Sequence, residues 1–172
     1  LVPEPTRLNL WIATRGLLHG TLSVPGRSAH AEVNQPPWRD GGGVNAIQKA
    51  AYLLGALDGL ADAWSKRPDK KHPLLGRPGI HPTIIRGGVF ISNVPERCEV
   101  ALNTTYLPGN ADPSGYGSVP RGEIEQAVAR LDTTIEDVAD QVQPPSRRLE
   151  LLAGGDVRRT GGQAEAAVDA VL

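Results

Sequence analysis

Methionine is missing from all 172 residues of this chain, and cysteine occurs once. A lone Cys98 excludes an internal disulfide, so the core alone must hold the fold, which fits a reducing compartment; a cytoplasmic location is the expectation. Cys98 alternates with Val100 and Leu102, a pattern that predicts a buried thiol and not a nucleophile. Net charge is −1, which leaves no single-sign excess for nucleic acid or an anionic membrane surface to recognise. No apolar run approaches the length of a membrane span, and no basic-then-apolar stretch occurs. The length suffices for one domain with a proper core. The absence of a starting methionine raises the expectation of a fragment or an excised domain.

What is present is a regular alternation of periods. Leu8, Leu10 and Ile12 predict a short first strand. From Gly16 to Val24, Leu18, Gly20, Leu22 and Val24 share one side while His19, Thr21 and Ser23 share the other, a strand with one wet face. A loop rich in proline and glycine follows over Asn34 to Gly43. The spacing of Val44, Ile47, Ala51, Leu54 and Ala61 predicts a helix over Val44 to Trp64, with Asn45 as its cap. After a polar, proline-broken connection to Gly79, two strands are expected over His81–Ser92 and Arg97–Pro108, joined by a turn at Asn93–Glu96. Ile124, Val128, Leu131, Ile135, Val138 and Val142 predict a second helix over Arg121–Val142. Arg147–Ala153 reads as a last strand and Gln163–Leu172 as an alanine-rich closing helix. The order strand, helix, strand, strand, helix, strand makes the fold class α+β. It is a ferredoxin-like βαββαβ sandwich with two helices on one face of an antiparallel sheet.

Three residues are candidates for chemistry. Leu22 to Glu32 runs as a strand into a Pro25-Gly26 turn and then to His30, flanked by small residues that leave its ring reachable. Glu4 precedes Pro5, so its backbone is extended, a way to aim a carboxylate at a metal. Asn93 sits in the expected hairpin turn, where asparagine also serves simply as a turn former. One carboxylate cannot hold zinc, which needs three or more protein ligands. None of His19, His30, His72 and His81 begins a His-x-Asp phrase, and His72 and His81 each precede proline, as turn residues do.

These residues lie in phrases that follow one another in a familiar order. They are Glu4-Pro5-Thr6, Arg15-Gly16, Gly26-x-x-Ala29-His30, Gly43-x-Asn45-Ala46-Ile47, His72-Pro73-Leu74, Gly87-Gly88, Asn93-Val94-Pro95, Cys98-Glu99 and Tyr106-Leu107-Pro108-Gly109. The chain thereby resembles the acetylornithine deacetylase, succinyl-diaminopimelate desuccinylase and carboxypeptidase-G family of zinc amidohydrolases, peptidase family M20. The resemblance implies the lid or dimerisation domain of a larger enzyme that hydrolyses the amide bond of an N-acyl amino acid or small peptide. It implies a homodimer whose seam is the first helix and the strand ending near Ser92. Two zinc ions would belong to the intact parent, with Glu4 a ligand to one of them, and the isolated chain would bind none tightly and turn nothing over. His30 would reach into the partner subunit and donate a hydrogen bond to the carbonyl under attack, and Asn93 would contact substrate. Residues 1–12 would then be a remnant of the catalytic domain's edge, 13–155 the lid, and 156–172 a return towards the catalytic domain or a disordered tail. Two departures stand out: Pro3 replaces the family's glycine before Glu4, and Thr105 stands where many relatives carry an arginine that clasps a substrate carboxylate, so recognition of an acidic tail is weakened or moved to another residue such as Arg86 or Arg97. The other reading is a non-catalytic ferredoxin-like module that pairs with itself or binds a ligand.

Overall fold

The computed structural model describes residues 12–113 and 116–139, together with the strand residues 159–160, 163–164 and 166–171. The expected short strand through Leu8 and the expected strand over Arg147–Ala153 fall outside the described residues. Strand β1 (Gly16–Pro25) forms where the alternation predicts it, with Leu18, Leu22 and Val24 buried. Two short strands frame the loops: β2 is Ala29–His30 and, later, β4 is Asn93–Val94. Between them lie helix α1 (Ala46–Lys66) and strand β3 (Ile80–Gly87), and after them β5 (Arg97–Tyr106) and α2 (Ser118–Ala139). A β6–β7 pair (Arg159–Thr160, Gln163–Ala164) precedes the last strand, β8 (Ala166–Val171).

The four-stranded sheet has the order β3-β5-β1-β8, so the βαββαβ sequence gives the expected crossed arrangement. Central pairing is antiparallel: Leu22 stands opposite Val100 and Val24 opposite Cys98. β8 runs parallel to β1, which makes the outer strand a mixed addition to an otherwise antiparallel sheet. The alanine-rich end therefore forms strand and not the expected closing helix. Val168 and Val171 favour extended backbone, and β1 would otherwise leave a row of backbone groups unpaired.

One face of the sheet is closed by the helices. Cys98, Val100 and Leu102 of β5 pack with Leu53, Leu57 and Trp64 of α1 and with Ile124 and Val128 of α2. Burial drives this packing, at roughly 1.5–3 kcal/mol for each large aliphatic side chain removed from water. The buried face of α1 is Ala46, Ala50, Leu53, Leu57 and Trp64, about one residue out of step with the face expected from sequence; Ile47 and Ala51 look outward. Alanine and leucine occur nearly all round this helix, so the 3.6-residue period fits two faces, and Trp64 decides between them.

The far end of α1 is tied down by a buried charge. Lys70 is wholly removed from solvent, with its Nζ 3.2 Å from Glu123 Oε1 of α2, 3.3 Å from Asn110 Oδ1 and 4.6 Å from the centre of the Trp64 ring. Arg67 Nη1 donates to the same Glu123 Oε1 at 3.0 Å, and the Trp64 indole N–H donates to the other carboxylate oxygen. A buried ammonium is tolerable only when paired in this way. On the opposite flank, β3 is an edge strand in which only Ile80 is buried. Its register slips between Pro82 and Ile84, and Pro82 has no N–H to offer.

Candidate functional site

The site begins where β3 stops. Gly88 adopts φ 77°, a left-handed conformation open to glycine, and swings the chain out of the sheet. The expected strand to Ser92 therefore ends at Gly87. Val89–Ser92 form an exposed turn, and Asn93 and Val94 make β4, which pairs antiparallel with β2. Asn93 is thus not in a hairpin turn: it is the direct register partner of His30, with Ala29 opposite Val94. The two candidate residues, 63 positions apart by subtraction (93 − 30), stand side by side on a two-stranded shelf.

Backbone contacts hold this shelf to the start of α1. Arg27 and Val44 exchange N–H···O=C bonds of 2.8 and 2.9 Å, Gly26 N–H donates to Glu96 at 2.7 Å, and Ala46 N–H donates to Pro95 at 3.0 Å. Gly26 is required here, because a Cβ on it would fall 2.2 Å from the Val44 carbonyl oxygen. The Arg27 guanidinium donates to the carbonyls of Trp38 (2.7 Å) and Gly42 (3.1 Å), which folds the proline-rich loop back beside the shelf. Asn45 caps α1 as expected, its Oδ1 accepting from the N–H groups of Ile47 and Gln48 at 3.0 and 3.1 Å.

His30 is exposed, and one of its ring nitrogens is already used: Nδ1 accepts the Glu32 N–H at 3.3 Å. In a neutral imidazole one nitrogen accepts and the other donates, so this contact assigns the proton to Nε2 and leaves a donor on the outward side of the ring. Its carbonyl accepts from Gln35 Nε2 at 3.1 Å, which steadies the loop from the other side. Asn93 is also exposed, and its N–H donates to the Phe90 carbonyl at 3.1 Å.

The remaining candidates divide. Glu4 lies outside the described residues. Among the described residues no three His, Cys, Asp or Glu side chains come together to hold a metal ion, so these residues by themselves do not fit zinc. His72 is a turn residue as expected, with Nδ1 accepting from the N–H groups of Leu74 and Leu75 at 3.2 Å each. His81 is not: it is the second residue of β3. Thr105 has a structural use, its hydroxyl accepting the Gly79 N–H at 2.9 Å, and Arg97 is engaged by Glu99 at 2.9 Å. Burial pushes the Cys98 thiol up from its ordinary pKa, which opposes a thiolate and agrees with a core role. The Trp64–Lys70–Glu123 anchor leaves no trace in the residue pattern, because Lys70 within a Lys70-Lys71 pair looks like a solvated residue. A cavity of about 430 Å³ lined by Ile12, Thr14, Arg15, Leu74 and Leu75 lies beyond the start of β1, at the other end of that strand from His30.

Residues 12–114 match the model of the peptidase dimerisation domain of family M20. The chain belongs to that family. Two curated relatives, each named a "probable carboxypeptidase", come from Aspergillus flavus and Aspergillus oryzae; each is 30% identical over 132 residues, covering 74% of this chain. The M20 chain spans 28% of the length of these relatives. Among solved structures it is similar to an aminobenzoyl-glutamate utilization protein of Klebsiella pneumoniae, at 18% identity and TM-score 0.46 over 70% of this chain and 25% of that one. It is also similar to a hydantoinase/carbamoylase-family amidase of Burkholderia vietnamiensis, at 12% identity and TM-score 0.47 over 92% of this chain and 40% of that one. No helix among the described residues is long and apolar enough to cross a membrane.

Proposed function

We propose that this chain is the lid and dimerisation portion of a metal-dependent amidohydrolase that hydrolyses the amide bond of an N-acyl amino acid or small peptide. The observation that carries the reading is the pairing of His30 with Asn93 on one exposed shelf, with the ring's Nδ1 occupied so that Nε2–H is the outward donor. A donor held where a carbonyl oxygen becomes an oxyanion lowers the barrier by roughly 3–4 kcal/mol. In this reading His30 serves the partner subunit's reaction centre, and Asn93 beside it contacts the same substrate. The protomers meet along the exposed edge of β3 and the outward side of α1, where Ile84, Ile85, Ile47 and Tyr52 are exposed. Zinc enters only as two ions held by the longer protein, with Glu4 as this chain's one ligand. Residues 1–12 are the edge of the catalytic domain and 13–155 the body of the lid; within 156–172, the expected return towards the catalytic domain, Ala166–Val171 joins the lid sheet as β8. The isolated chain turns nothing over, and a buried, unpaired Cys98 suits a reducing cytoplasm.

Complementation in the full-length protein tests the cross-subunit role. His30→Ala should lower kcat/KM by roughly a hundred- to a thousandfold. Mixing it with a Glu4→Ala variant, itself inactive, should restore about a quarter of wild-type turnover, since half the dimers are mixed and each of those has one whole site. No recovery on mixing, or full activity in His30→Ala, would overturn the reading. The second reading, a self-pairing module without chemistry, is favoured only by the bare β3 edge; it predicts a dimer with no turnover in the full-length protein.

A further inference from the structure

The stretch after His30 is a short loop, and one side chain closes it. Gln35 Nε2 lies 3.1 Å from the His30 carbonyl oxygen and 3.1 Å from the Val33 carbonyl oxygen. A carboxamide nitrogen carries two N–H bonds, so each carbonyl takes one. The amide turned over would set its oxygen against two others, which assigns the nitrogen to this side. The Val33 N–H adds a bond of 3.3 Å to the same His30 carbonyl. Between the two carbonyls stands Glu32, the residue whose N–H donates to His30 Nδ1 at 3.3 Å. The clamp works from a fixed base. Pro36 biases Gln35 towards extended backbone, and the N–H groups of Asp40 and Gly42 bond the Pro37 carbonyl at 2.9 and 3.1 Å. A Cβ on Gly42 would fall 1.9 Å from the Pro36 carbonyl oxygen, so this stretch is folded back tightly. On the other side the Ala31 N–H bonds the Ser92 carbonyl at 2.7 Å.

We infer that Gln35 is a positioning residue for His30: its amide closes the turn so that the Glu32 N–H faces Nδ1, which keeps the ring proton on Nε2, the outward side. The inference rests on the donor role proposed for His30. With the turn open the Glu32 N–H would bond water, and a neutral imidazole released from it carries its proton on either nitrogen. A ring with its proton on Nδ1 would present a lone pair at Nε2 to the oxyanion. Every residue from Ala31 to Gln35 is exposed, so these bonds compete with water. One such bond shifts an equilibrium by about fivefold, which sets the size of the effect.

Ring-nitrogen chemical shifts of the chain labelled with 15N-histidine read the tautomer directly. At about pH 8.5, where an ordinary imidazole is neutral, His30 should show a bare Nδ1 and a protonated Nε2. In Gln35→Ala its two shifts should move towards each other. Those of His72, whose Nδ1 is held by the N–H groups of Leu74 and Leu75, should stay where they are. In the full-length protein Gln35→Ala should lower kcat by about fivefold with KM little changed. Gln35→Glu, which turns oxygens on both carbonyls, should lower it at least as far. Shifts that stay unmoved in both variants overturn the inference, and a fall in kcat alongside them marks Gln35 as a structural loop contact only. Moved shifts with kcat unchanged overturn it as well, because the ring's proton would then not limit the reaction. Full activity in His30→Ala fails the proposed function instead, and the shifts still decide whether Gln35 holds the ring.

Discussion

The two ends of α1 are built on opposite principles. At its C-terminal end Trp64 and Lys70 are buried and share the Glu123 carboxylate, with Asn110 on Lys70 and the half-exposed Arg67 closing the group from the surface side. At its N-terminal end the shelf of β2 and β4 is held by backbone bonds, while His30, Asn93 and the Val89–Ile91 tip point into water. One pole spends its side chains on stability. The other holds its backbone rigidly so that its side chains remain available for something outside the chain. A fixed backbone that leaves the outward ring nitrogen of His30 in solvent is what the donor role proposed for it needs.

This contrast predicts where mutations act, and the largest effect belongs to the buried pole. Glu123→Ala leaves Lys70 buried without its carboxylate and should lower unfolding free energy by about 3–5 kcal/mol in urea titrations of the isolated chain. The double replacement Lys70→Met, Glu123→Leu should recover most of that loss; a Glu123→Ala loss below about 0.5 kcal/mol would erase the distinction between the poles. At the shelf, Gly26→Ala drives a Cβ onto the Val44 carbonyl and should cost about 1–3 kcal/mol. Amide exchange should accelerate at Ala31 and Asn93 before it does in the sheet, which would show that the shelf loosens as a unit. Asn45→Ala removes two capping bonds and should cost about 1 kcal/mol, read as a lower thermal midpoint with the shelf's exchange little changed.

The smallest effect is a matter of pH. Burial raises the pKa of Cys98 and of Tyr106 above their ordinary values of 9.0 and 10.0. Below those values both groups are neutral in the folded and the unfolded chain, and stability is fully present. As pH rises past them the unfolded chain loses these protons first, so stability falls until the folded groups ionise as well. Urea midpoints measured between about pH 8 and about pH 11 should decline, and Cys98→Ala should flatten the first part of the slope.

Much of the core was readable because it obeys a period. Leu18, Leu22 and Val24 alternate, as do Cys98, Val100 and Leu102, and both runs are central strands. The face of α1 was misread by about a residue because Ala46/Ala50 and Ile47/Ala51 satisfy the helical period equally well. The end of β3 was hidden for a different reason. Val89, Phe90 and Ile91 have the composition of strand, and only the conformation of Gly88 removes them from it. His30 could be singled out from its loop of small neighbours, but its partner could not. β2 and β4 are two residues each, too short to carry any periodic signal, so the meeting of His30 with Asn93 is a tertiary fact. β8 shows the same limit, since alanine-rich sequence prefers helix until an open strand edge is beside it.

Pro82 bears on how many copies of this chain can join. A strand laid along β3 from outside meets a missing rung at that residue and a kink next to it, so the ladder resumes only from Ile84. Such an edge accommodates one twin over a short run and offers nothing continuous for a third molecule to extend, which turns an exposed strand from an invitation to fibres into a closed handshake.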